Sequence, residues 1–236
     1  MIIVTGEARS GTSLQMQLCR ALGFSIAGKR NNHIYGEDEF KVGVRIGNKV
    51  VSKKFASPEQ IEKSIDMNPE GYWEMSRVVK NGLSKDMAAG KVPSLVSEPI
   101  TEDVIKILSH GLQATHGDLI DKIIFCIRDP REVVTSQRDI IYSTSNDSMR
   151  YMAYIEHTKS ILSYIEDEDW DIIKVVDFKD MHEKTEETIK GIASFLGKDV
   201  NSEALAVVRP DLYRSKPLAY YNKEADELYR QLRGRI

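Results

Sequence analysis

The chain has 236 residues, 41% hydrophobic and 29% charged, with 33 Lys and Arg against 36 Asp and Glu for a formal net charge of −3. This composition excludes a disordered chain or a coiled coil, and its near-neutral balance lacks the basic footprint expected of a nucleic-acid or anionic-membrane binder. Two cysteines, Cys19 and Cys126, supply neither a disulfide framework nor a zinc site, and they fit a reducing compartment.

Ile2-Ile3-Val4 reads as a fully buried strand, followed by a glycine-rich turn and a helix carrying Leu14, Leu18, Ala21 and Leu22, with Gly23 as its stop. No targeting segment or apolar stretch long enough to span a bilayer is read, so a cytoplasmic, unanchored protein is expected. Phe40, Val42, Val44 and Ile46 alternate with polar or small residues, Gly47-Asn48 supplies a turn, and Lys49–Phe55 returns, predicting a β-hairpin insert at 40–55. Ser94–Ser97 is a weaker strand signal. Thr101 is placed to cap a helix carrying Val104, Ile105, Leu108 and Leu112. Lys122–Ile127 and Asp171–Val176 are further apolar strand runs, and residues 183–196 read as a helix ended by Gly197. Continuous rather than alternating apolar strands, separated by helices, predict one three-layer α/β/α domain over 1–236 with a mainly parallel sheet.

Between the first strand and first helix lies Gly6-Glu7-Ala8-Arg9-Ser10-Gly11-Thr12-Ser13. Glycines that permit a tight turn, followed by a helix N-terminus, make a cradle of N–H groups for an anion. The spacing is that of a nucleoside-triphosphate loop, with Thr12 where the lysine should stand. A nucleoside triphosphatase needs that lysine on its outer phosphates. Its replacement by threonine, with Arg9 inside the loop, points to a different phosphate-like ligand, and an ordinary strand–turn–helix is the plainer alternative. The second signal is Arg128-Asp129-Pro130, directly after the Lys122–Ile127 strand, with Ser136 two turns into the following helix. Pro130 suits a first helical turn. Arg128 and Ser136 are thereby placed to face one phosphate near the first loop.

Together these segments resemble the sulfotransferase family that uses 3′-phosphoadenosine 5′-phosphosulfate as donor. Arg9-Ser10-Gly11-Thr12-Ser13 matches the family's 5′-phosphosulfate loop, and Arg128, Pro130 and Ser136 match its 3′-phosphate motif in order and spacing. Asn68-Pro69-Glu70-Gly71-Tyr72-Trp73-Glu74 resembles a stretch of many bacterial sulfotransferases, and Val175–Met181 with Phe195-Leu196-Gly197 resembles the late strand and helix end. Ser97-Glu98-Pro99 departs from the family's Lys-Asp-Pro, Phe178 stands where tyrosine is frequent, and the glycine-rich C-terminal stretch of the animal cytosolic enzymes has only Arg209–Arg214 as a counterpart.

The resemblance implies metal-independent, in-line transfer of a sulfuryl group to a hydroxyl, or else an amine, of a small-molecule or glycan acceptor, leaving adenosine 3′,5′-bisphosphate. Arg9, Ser10, Gly11, Thr12, Ser13, Arg128, Ser136 and Arg214 are the expected donor-binding residues. Arg9 is also assigned to charge on the leaving oxygen, Glu74 to the general base, and His33 is the rival base. Glu74 has a plainer alternative as a dipole-favoured residue at a helix entry. The five histidines show no paired metal spacing. Lys41, Arg45, Lys49, Lys53 and Lys54 would suit an anionic acceptor, or equally a solvated, lysine-protected edge. A P-loop kinase and a non-catalytic nucleotide-binding protein of the same fold remain as alternatives.

Overall fold

The computed structural model describes residues 1–27, 41–46, 49–55, 102–112, 119–140, 146–166, 170–213, 217 and 220–236. Strand β1 (Ile2–Gly6) runs through the phosphate loop into helix α1 (Thr12–Ala21), as expected. The predicted hairpin is present: β2 (Lys41–Ile46) pairs antiparallel with β3 (Lys49–Phe55) as a separate two-stranded sheet, with a register irregularity between Val44 and Arg45.

The expected helix after Thr101 is a strand instead. β4 (Val104–Lys106) pairs parallel with β1, Ile2 opposite Val104 and Val4 opposite Lys106, and only Ser109–Leu112 forms a helix, α2. Val104, Ile105, Leu108 and Leu112 do keep helical spacing, but the N–H and carbonyl groups of β1 need partners on that side. The Ile2 and Ile107 amides bond to Asp103 and Val4 carbonyls, and the Asp103 side chain accepts from the Ser25 amide and hydroxyl, fixing the strand's entry.

β5 (Lys122–Ile127) lies on the other side of β1 and leads into α3 (Pro130–Ile140), whose first residue is the proline. The long helix α4 (Asp147–Glu166) follows, and then β6 (Ile173–Asp177), parallel to β5. Sequence spacing predicted one helix over 183–196. The chain forms α5 (Phe178–Glu183) and α6 (Thr185–Leu196), separated by Lys184. Asp177 explains the early start, because its carboxylate accepts the Lys179 amide at 2.9 Å and caps α5. Two further helices, α7 (Ser202–Ala206) and α8 (Lys223–Arg233), complete the described chain.

The four-stranded sheet has the order β4-β1-β5-β6, all parallel, as the apolar runs predicted. On one face Val4, Val104, Ile124 and Val176 pack with Met16 and Leu18 of α1 and Ile189 and Ile192 of α6. On the other, Ile3, Ile105, Phe125 and Val175 pack with Ile161 and Ile165 of α4 and Leu232 of α8. The result is the expected three-layer α/β arrangement. No described helix is long and apolar enough to cross a membrane.

Parallel strands buried on both faces bring their carboxyl ends to one edge. There lie the loop after β1, Lys106 at the end of β4, Arg128 after β5, and Asp177-Phe178 after β6. α8 is tied to this edge. Buried Asp177 accepts from the Tyr229 hydroxyl and from Arg233 Nη1, each at 2.6 Å, and Arg233 Nη2 reaches Asp180 at 3.0 Å.

Candidate active site

The loop between β1 and α1 has the backbone its sequence required. Gly6 and Gly11 hold φ of 148° and 101°, and Arg9, at 80°, is the one non-glycine residue at positive φ among the described residues. At Gly11 a Cβ would stand 2.6 Å from Phe178 Cδ2, so the absent side chain leaves room for the ring behind the loop. Gly11, at the N-cap of helix α1, has no side chain to cap it. A helix N-terminus of this kind favours an anion.

Arg9, Arg128 and Ser136 come together across more than a hundred residues of sequence. Arg9 Nε donates to Ser136 Oγ at 3.0 Å, and Arg128 Nη1 donates to the Arg9 carbonyl at 2.9 Å. The spacing had predicted that Arg128 and Ser136 would share a site near the loop, and Arg9 is the link between them. Arg128 is buried, with its guanidinium 4.1 Å over the Phe178 ring and its Nε donating to Glu132 Oε2 at 3.0 Å. Burial lowers the pKa of its guanidinium, while Glu132 opposes that effect. The other Glu132 oxygen accepts the Tyr213 hydroxyl at 3.2 Å. Tyr213 in turn stacks on His182, with centroids 4.6 Å apart and planes 11° from parallel, and Phe178 packs edge-on to both.

Thr12 and Ser10 are buried, and the Ser10 hydroxyl has no hydrogen-bond partner among the described residues. Ser10 turns inward, since a Cβ on Gly6 would meet its Oγ at 2.5 Å. The glycine turn leading into the N-terminus of α1, with the Arg9 and Arg128 side chains beside it, fits a phosphate-bearing ligand. The thiols of Cys19 and Cys126 are buried, and burial pushes Cys19 up to about 12, so neither serves as a nucleophile. Among the described residues no group of His, Cys, Asp and Glu has the arrangement of a metal site.

Glu74, His33 and Arg214 lie outside the described residues, as do Asn68–Trp73 and Ser97–Pro99. Two site residues escaped the sequence reading. Lys106 is buried at the carboxyl end of β4, where strand alternation sets it on the α1 face with Val104, and its charge acts on the Cys126 thiol. It adds a basic group at the carboxyl end of the strand neighbouring β1. The helix expected across this segment concealed it. The second is Glu7, an acid within the anion loop, buried and bonded to His157 Nδ1 at 2.6 Å. Its signal was a carboxylate where the loop's function calls for none.

A family model described as the sulfotransferase domain matches residues 2–217. Among solved structures, the sulfotransferase domain of the Synechococcus PCC 7002 olefin synthase is similar at a TM-score of 0.52 and 15% identity, over 99% of this chain and 94% of that one. The sulfotransferase domain of the curacin biosynthetic pathway gives a TM-score of 0.50 and 12% identity, over 99% and 97% of the two chains. Mouse sulfotransferase SULT7A1, complexed with PAP, gives 0.44 and 14%, over 87% and 61%. No curated protein sequence matches this chain significantly.

Proposed function

The chain belongs to the sulfotransferase domain family, and from that premise we propose that it transfers a sulfuryl group from 3′-phosphoadenosine 5′-phosphosulfate to a hydroxyl of a small-molecule or glycan acceptor. The observation that carries the donor assignment is the meeting of Arg9, Arg128 and Ser136 at the mouth of the phosphate loop. A ligand with phosphate at one ribose position only would leave half of this cationic and hydroxyl cluster without a role.

In this reading the amides of Gly11, Thr12 and Ser13 at the start of α1, with Arg9 and Thr12, receive the 5′-phosphosulfate. Arg128 and Ser136 receive the 3′-phosphate, and Arg214 adds charge from the C-terminal side. Glu74 takes the acceptor's proton as the acceptor oxygen bonds to sulfur and the bond from sulfur to the phosphate oxygen breaks. Arg9 and the loop amides then stabilise the electron pair left on that oxygen, with Lys106 as a further cation on the same strand edge. The sulfuryl group carries less charge than a phosphoryl group, so fixed N–H and guanidinium donors suffice and the proposal includes no metal. The domain is taken as single over 1–236, with the hairpin at 41–55 placed toward the acceptor.

Adenosine 3′,5′-bisphosphate should bind without magnesium and at least tenfold more tightly than AMP, the size of one or two charge-assisted hydrogen bonds. Equal calorimetric affinities would overturn the donor assignment, and magnesium-dependent transfer from ATP would establish the kinase alternative. With donor and an acceptor mixture, Glu74→Gln should lower turnover by about 10²–10⁴-fold while bisphosphate binding persists. Near-normal turnover in that variant, beside an inactive His33→Ala enzyme, would assign the base to His33.

A further inference from the structure

Glu7 places a negative charge inside a loop built to hold an anion. Its side chain is buried and gripped from three elements. Oε2 is 2.6 Å from His157 Nδ1 on α4 and accepts from the Ser109 hydroxyl, at the start of α2, at 3.3 Å. Oε1 accepts from Gln137 Nε2 on α3 at 3.0 Å, and the same amide donates to the Ala8 carbonyl at 3.2 Å. Gln137 lies one residue from Ser136, so these contacts fix the loop against the helix that carries the second phosphate motif.

An uncompensated carboxylate at this point would repel a phosphosulfate held by the adjoining amides. We propose that His157 is a positioning residue of the donor site: its imidazolium offsets the Glu7 charge and holds the loop in its anion-receiving shape, so that donor affinity depends on the His157 proton. The inference rests on the donor reading given above. The hydrogen bond to Glu7 raises the His157 pKa above its ordinary value, burial opposes this, and Glu156 on the same helix adds to the rise. The imidazolium is therefore fully present below the ordinary histidine pKa and is lost as pH rises through the raised one.

Titratable groups around the pair include Tyr154 on α4, on which Glu7 acts, and Arg128, which lines the same small cavity as Glu7. α3, α2 and α8 bring the neutral Gln137, Ser109 and Leu232 to this region.

Adenosine 5′-phosphosulfate is a suitable probe, because its phosphosulfate has no proton to gain or lose between about pH 6 and pH 9. Calorimetry on the full chain should show its affinity falling about tenfold across that range as His157 is neutralised. Glu7→Gln should flatten the profile. His157→Gln, which keeps a hydrogen-bond donor but not the charge, should bind at every pH as weakly as the wild type does at high pH. Adding Glu7→Gln to it should restore the affinity. If His157→Gln binds as tightly as the wild type at about pH 6, or if the wild-type and Glu7→Gln profiles coincide, the proposal is overturned. Should the His157 variant fail to fold, the Glu7→Gln profile alone decides. Failure of this probe and of adenosine 3′,5′-bisphosphate to bind at any pH would overturn the donor reading and this inference with it. Binding of both with coincident profiles would overturn the inference alone.

Discussion

Replacing Glu132 by glutamine should tighten the binding of adenosine 3′,5′-bisphosphate and leave that of AMP nearly unchanged. The Arg128 guanidinium, assigned to the 3′-phosphate, already holds the Glu132 carboxylate at 3.0 Å, and both side chains are largely shielded from water. A phosphate on the opposite edge of the guanidinium would stand ~6–7 Å from that carboxylate, where two unit charges repel by about 2.5 kcal/mol at an effective dielectric constant near 20. Solvent entering an open ligand site screens part of this and leaves about 1 kcal/mol. Against it stands the orienting effect of Glu132 on Arg128. The glutamine oxygen can still accept from Arg128 Nε, and its amide can face the Tyr213 oxygen, so most of the orientation survives. The net expectation is an affinity about three- to tenfold higher for the bisphosphate. Titration calorimetry of both nucleotides on wild type and variant reads this directly. A bisphosphate affinity that is unchanged or lower, in a variant with a native melting curve, would refute the argument that charge repulsion outweighs orientation here.

Two further outcomes follow from the same cluster. Gly11→Ala should cost about 1–3 kcal/mol in urea unfolding, because its backbone is left-handed and its Cβ would strike Phe178. Shortening Phe178 to alanine in that background should recover only the steric part, and full recovery would show that the backbone term was misjudged. The His182 pKa is lowered by burial and by Arg128, so the unfolded chain takes up this proton first as pH falls. Stability should therefore fall as pH drops from about 6.5 toward the folded pKa, and His182→Phe should flatten urea midpoints over that window. An unaltered slope in the variant would remove His182 from the acid response.

The elements legible in the sequence were those whose signal is local. Ile2–Val4 with the glycine loop, the alternating first strand of the hairpin, and Lys122–Ile127 running into Pro130 each contain their own start, stop or periodic signal. β4 is different: Val104-Ile105-Lys106 has too few residues to show a period, and its flanking leucines complete a helical pattern that only pairing with β1 overrides. The strand run Asp171–Val176 is borne out, but the helix after it starts at Phe178 and not at 183, because nothing in Val-Val-Asp-Phe announces that the Asp177 side chain will cap a helix. At the site, the family-like spacing brought Arg9, Arg128 and Ser136 into one reading. Glu7 stayed silent because its partner His157 lies 150 residues away, and no local rule pairs a loop acid with a mid-helix histidine.

Arg9 carries a consequence for the evolution of this chain. A left-handed backbone disfavours a residue with a Cβ by about 1 kcal/mol, and glycine or asparagine would relieve that at once. The bend is thus held in the resting protein, and the nucleotide need not create it on arrival. Selection for heat resistance alone would drift toward a smaller residue at this position, discarding the guanidinium that reaches Ser136. A library of thermostable descendants, sequenced without regard to activity, would separate the loop positions retained by folding from those retained by chemistry, with Arg9 among the first to be lost.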